Sequence, residues 1–347
     1  MKFAIQYHHE LGKPRFRFIA RENSYHGATL GSLGLGNHLA RRLIYEPILN
    51  HNVSYVAPCY AYRQRNEGES DADFVARKAA ELEQVFLDSP EPITAYFLEP
   101  ISGAALGCVP YVTGYLAAMK SICRKYGALF VLDEVMSGMG RSGTLHAWQA
   151  EHSDAPGKDC LPDIQMVGKG LGGGFQPVAG ILLAPECVNV IRSGSGSFKH
   201  GQTYQAHPMA CAAAYAVQKI VQRDDILANA RQQGEYLQFL LHTKLDKHPH
   251  VGDVRGIGLF WGIEFVRDKQ TKEPFPASLK VAEKVHDLAL TAKYGMSFYP
   301  CQGTVDGVQG DHVIIAPAYV ITKEEVEFVA ETISKVVDEV FEGLAKL

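Results

Sequence analysis

Residues 162–174 read Pro-Asp-Ile-Gln-Met-Val-Gly-Lys-Gly-Leu-Gly-Gly-Gly. The short apolar run at 163–167 predicts a buried strand, and the glycines after Lys169 predict a turn that lets other chain segments approach closely. An amine presented at the end of such a strand is placed for covalent carbonyl chemistry as a Schiff base.

Upstream, 128–133 (Ala-Leu-Phe-Val-Leu-Asp) is a second apolar run, ending on Asp133. Further strand candidates lie at 15–20, 53–57, 93–98 and 178–184, with helical spacing at 72–88 and at 113–126, the latter ending at Gly127. This alternation argues for an α/β fold, a mostly parallel sheet flanked by helices. Helical spacing then covers 208–222 and 225–246, with Asp224 and Asp225 as cap residues between them. Beyond this the pattern changes to paired strands in 251–266, a helix over 277–293, a strand at 311–315 and an amphipathic helix over 322–344. That pattern is a smaller C-terminal α+β unit of ordinary domain size.

With 46% hydrophobic and 21% charged residues over 347, the chain is globular in composition and long enough for a large core. A net charge of −4 leaves no basic footprint, so a small-molecule partner is expected and nucleic acid is not. No apolar run approaches the ~18 residues of a membrane span. Seven scattered cysteines without a CxxC pair suit reduced thiols, as in the cytoplasm or a mitochondrion, and weigh against use of the sequon Asn52-Val53-Ser54. No HExxH or CxxC pair indicates a metal site. The first residues read as the end of an amphipathic helix carrying Phe3, Ile5 and Tyr7, so a preceding segment is expected.

Three features bear on Lys169. Asp133, at the C-terminal end of a parallel strand, lies where such sheets bind ligands; beside a pyridine nitrogen its carboxylate would keep that nitrogen protonated. A solvated acid capping the next turn is the competing reading. Ser24-Tyr25-His26-Gly27-Ala28-Thr29 follows the strand at 15–20, and its aromatic ring suits stacking on a flat heteroaromatic ligand or, equally, a place in the core. His200-Gly201-Gln202-Thr203-Tyr204 enters a helix at Pro208; hydroxyl and backbone N–H groups there suit a phosphate, or a plain turn and cap. Gly138-Met139-Gly140-Arg141-Ser142-Gly143 fits GxGxxG, but Asp133-Glu134-Val135-Met136-Ser137 intervene where the glycines should open a helix directly after the strand, so a dinucleotide-binding reading is set aside.

In order and spacing, 129–149 (LFVLDEVMSGMGRSGTLHAWQ), 162–182 (PDIQMVGKGLGGGFQPVAGIL) and 200–214 (HGQTYQAHPMACAAA) resemble the class III pyridoxal-phosphate-dependent aminotransferases of fold type I. The resemblance implies a large domain over 1–225, a small domain over 226–347 and pyridoxal 5′-phosphate as cofactor. It implies Lys169 as the lysine that binds the cofactor and shuttles the substrate proton, with Asp133 on the ring nitrogen. Tyr25 would lie on one ring face and Val135 on the other, with His26 beside them and Glu99 supporting the pocket. Gln202 and Thr203 would bind the phosphate across a homodimer interface. The partners would be an amino donor and a keto or aldehyde acceptor in ping-pong transamination; aminomutases and decarboxylases resemble the same family, and a non-catalytic partner subunit is a further reading.

Two departures stand out. Ala104 and Ile314 occupy the positions of the glutamate–arginine switch of the glutamate-using branch, and no Lys or Arg occurs between Lys293 and Lys323. The chain is therefore similar to the ω-amino-acid and amine branch. The family's phosphate-cupping Gly-Ser-Glu-Ala-type turn would lie before residue 1, so an N-terminally truncated form is expected.

Overall fold

The structure, a computed structural model, describes residues 1–154 and 159–345. Six strands form the first sheet: β1 (Arg17–Arg21), β2 (Val53–Val56), β3 (Ile93–Leu98), β4 (Leu129–Asp133), β5 (Ile164–Val167) and β6 (Gly180–Leu183). Their order is β2-β1-β3-β4-β5-β6, all pairs parallel except the antiparallel edge pair β5–β6. Every residue of β3 and β4 is buried, as strands covered on both faces require. Successive side chains go to opposite faces. Phe97 and Val131 meet Phe3, Ala4, Cys187 and Ile191, from helices Lys2–Glu10 and Pro185–Ser193. Tyr96 and Phe130 meet Phe74, Leu82, Leu116 and Met119, from helices Asp71–Leu87 and Tyr115–Tyr126. Gly127 ends the latter helix at φ 64°, the left-handed conformation its position suggested.

A second sheet of antiparallel strands, β7 (Val251–Ile257), β8 (Phe260–Phe265), β9 (Tyr299–Gln302) and β10 (Asp311–Ile315), has the order β7-β8-β10-β9. Helices Ile226–Leu245, Val281–Leu290 and Lys323–Leu344 cover it around Leu237, Leu241, Val285, Ile333 and Val337. Thr322 and Glu325 form a reciprocal capping box at the start of the last helix.

Local chemistry corrects the expected boundaries. The helix over 277–293 is a 3-10 turn, Ala277–Leu279, and a helix beginning at Val281, because Lys280 between them is left-handed at φ 49°. Asp225 takes the N-cap position at φ 47° without a side-chain capping bond, while Asp224 binds the Arg223 guanidinium at 2.6 Å. Strand β9 carries Pro300 and has no apolar run to announce it. The C-terminal ends of β1, β3, β4 and β5 all open toward one edge of the sheet.

Candidate active site

Asp133, the last residue of β4, is 7% exposed. Its Oδ1 accepts the Val135 N–H at 3.1 Å and its Oδ2 accepts His26 Nδ1–H at 2.8 Å. The His26 side chain is fully enclosed, and its Nε2 has no partner. Tyr25 N–H donates to Glu99 Oε1 at 3.3 Å, while Gly103 N–H donates to Glu99 Oε2 at 2.9 Å. Glu99 thus ties the turn after β1 to the loop after β3. Burial raises the Glu99 pKa, with His26 and Arg21 pulling the other way. The Arg21 guanidinium also holds the Glu99 carbonyl at 2.7 Å.

Parallel pairing of β4 with β5 sets Asp133 opposite Met166, three residues before Lys169. Lys169 is exposed at the open end of the sheet, with a left-handed backbone at φ 41°. For a lysine this conformation is uncommon and costs energy. Burial lowers its pKa, Asp133 and Glu99 oppose that, and Arg41 adds to it. Gly170 is required by close approach: a Cβ there would lie 2.6 Å from the hydroxyl of Tyr319, which follows β10. Val135 packs against Gly168, its Cγ1 3.4 Å from where a Cβ would stand.

The structure therefore brings Asp133, His26, Tyr25, Glu99, Val135 and Lys169 to one edge of the sheet. Gln202 and Thr203 lie apart, on an exposed turn between helices Pro185–Ser193 and Pro208–Arg223. Two residues were missed by motif reading. Arg41 places its guanidinium carbon 4.6 Å above the Tyr25 ring, and Arg141 does the same over Tyr319 at 4.5 Å. Both meet their aromatic partners through tertiary packing, so spacing carries no signal of either.

The described residues fit the ring end of a pyridoxal group. A carboxylate oriented by two donors can accept a protonated ring nitrogen, and an amine of lowered pKa faces the same opening. The model of the aminotransferase class-III family matches residues 1–337.

The chain belongs to the class-III aminotransferases.

Members of this family use pyridoxal phosphate. An aminotransferase of Gibberella zeae is 47% identical over 97% of this chain, which spans 65% of that relative. A chloroplastic gamma-aminobutyrate transaminase of Solanum lycopersicum is 32% identical over 94% of the chain, which spans 60% of it. The solved omega-transaminase of Pseudomonas jessenii, in complex with PMP, superimposes with a TM-score of 0.88 at 30% identity, covering 99% of this chain and 73% of that one. These likenesses bear out the family and the mostly parallel fold type I sheet with its antiparallel companion.

Proposed function

We propose that this chain moves an amino group from an amino acid or amine to a 2-oxo acid or aldehyde, in two half-reactions through pyridoxal phosphate. The supporting observation is the pairing that places Asp133 and Lys169 at adjacent strand ends. Bound there, the cofactor would supply an electron sink for the bond lost at the substrate's amino-bearing carbon. Asp133 would accept the ring N–H, and His26 with the Val135 N–H fixes the carboxylate. Tyr25 and Val135 would cover the two ring faces, while Glu99 holds the Tyr25 turn in place. Lys169 would hold the cofactor through Nζ, and the same amine would move the proton at the substrate's amino-bearing carbon.

Gln202 and Thr203 serve the phosphate of a second copy's site, in a homodimer whose contact surface includes helix Pro208–Arg223. Residues 1–225 form the cofactor domain and 226–347 the small domain. All seven cysteines are free thiols, which supports a reducing compartment, the cytoplasm or a mitochondrion. Among the described residues no helix is long and apolar enough to cross a membrane.

The test is spectroscopic. Pyridoxal phosphate added to the purified protein gives a visible absorption band, and Lys169→Ala abolishes it. An undiminished band in that variant removes Lys169 from the role.

A further inference from the structure

Beside Tyr25 opens a cleft of about 330 Å³, lined by Tyr25, Ala28, Leu30, Leu33, Arg41 and Tyr45. Arg41 is the one charged group among these six. Its neighbour Arg42 is buried and fully engaged, bound to Glu46 at 2.9 Å and to the Gly36 carbonyl and the Tyr55 hydroxyl at 2.6 Å each. Arg41 differs in being exposed. It lies over the Tyr25 ring and donates through Nη2 to the Tyr299 hydroxyl at 3.1 Å, and it has no carboxylate partner among the described residues. A guanidinium has five N–H donors in a planar fork that matches both oxygens of a carboxylate. The Arg41 charge also reaches Lys169, where it adds to the effect of burial in lowering the amine's pKa.

We infer that Arg41 receives the carboxylate of the substrate, so that the substrate class is amino acids and 2-oxo acids. This assignment rests on the aminotransferase reading. It places on the short helix Leu39–Arg42, in the connection from β1 to β2, a cation that the stretch between Lys293 and Lys323 lacks. Stacking on Tyr25 holds the fork in one plane, and Leu30 and Leu33 give the cleft an apolar wall beside the guanidinium. The Tyr299 hydroxyl uses one donor and leaves the rest of the fork to the incoming anion.

Two measurements separate this assignment from the reading beneath it. In 15N-arginine-labelled protein, the Arg41 Nε–H signal is identified by its loss in Arg41→Gln and then followed during titration with propanoate. A saturable shift with propanoate supports the assignment. No shift with propanoate overturns it; a shift with inorganic phosphate and none with propanoate overturns it and assigns Arg41 to a phosphate. The second measurement uses alanine and isopropylamine, which differ only in carboxylate against methyl. Arg41→Gln raises KM for alanine on the order of 10- to 100-fold and leaves kcat and the isopropylamine reaction within a few-fold. Equal weakening of both substrates overturns the assignment. If the unaltered protein converts neither amine, the aminotransferase reading fails while the propanoate titration still decides the role of Arg41.

Discussion

Lys169 combines two costs, a left-handed backbone and an amine whose surroundings disfavour its charge. The second has a kinetic consequence, because only the neutral amine attacks a carbonyl. Formation of the pyridoxal phosphate band should accelerate as pH rises and level off below the ordinary lysine range near 10.4. Arg41→Gln removes a nearby cation and should move that plateau to higher pH. At Asp133, the shape-preserving Asp133→Asn removes the anion proposed to keep a ring nitrogen protonated; transamination should fall by roughly 100-fold or more in a single-turnover assay. Asp133 and Lys169 were legible in the sequence because each closes an apolar run at a point where the chain turns. Arg41 was not, since its position depends on how the short helix Leu39–Arg42 folds back over Tyr25. Lys169 is also more open to solvent than its place after a buried strand suggests, because the glycines that follow let the chain turn away from the sheet.

Among the elements, the parallel strands were readable because burial on both faces selects continuous apolar residues. β9 was not, since Tyr299-Pro300-Cys301-Gln302 owes its pairing to β10 and to little of its own sequence. Helix Pro208–Arg223 shows the limit of reading amphipathicity. It is rich in alanine, yet only Ala214 and Val221 are buried, while Met209 (65%) and Tyr215 (64%) are exposed. Phe175 and Tyr204, on neighbouring turns, are more exposed still. Isolated exposed apolar side chains are common, but this many on one helix and the adjacent turns argue for a covering surface. Tyr215→Asp should lower the dimer fraction in sedimentation measurements; an unchanged distribution would remove this helix from the proposed interface.

Across the whole molecule, the two sheets are joined by a buried ionic cluster. Arg255 on β7 binds Glu264 on β8 at 2.7 Å and the Gly107 carbonyl at 2.8 Å. Arg63 and Tyr60, from the segment after β2, bind the same Glu264 carboxylate. Burial would raise the Glu264 pKa, but Arg255 and Arg63 prevail and hold it below the usual carboxylate range. Glu264→Gln leaves two buried guanidinium groups under-compensated and should cost about 3–5 kcal/mol in urea unfolding. Opposite Glu264 on β10, His312 is driven by burial, and then by Arg255, to a pKa of about 3. Both groups have folded pKa values below their unfolded ones, so the stability they contribute is complete above the unfolded pKa and is lost as pH falls. For His312 that loss begins below about 6.5 and reaches on the order of 3 kcal/mol at pH 4. His312→Leu should flatten the pH dependence of the urea midpoint between those limits. No motif marked this cluster, because Tyr60 and Glu264 lie 204 residues apart in the chain and meet only when the sheets do. The ladder between β4 and β5 has another consequence. Main-chain pairing, and not the long connection between these strands, fixes the distance from Asp133 to Lys169. A one-residue slip in that ladder would therefore turn Asp133 to the opposite face of the sheet from the one it now occupies.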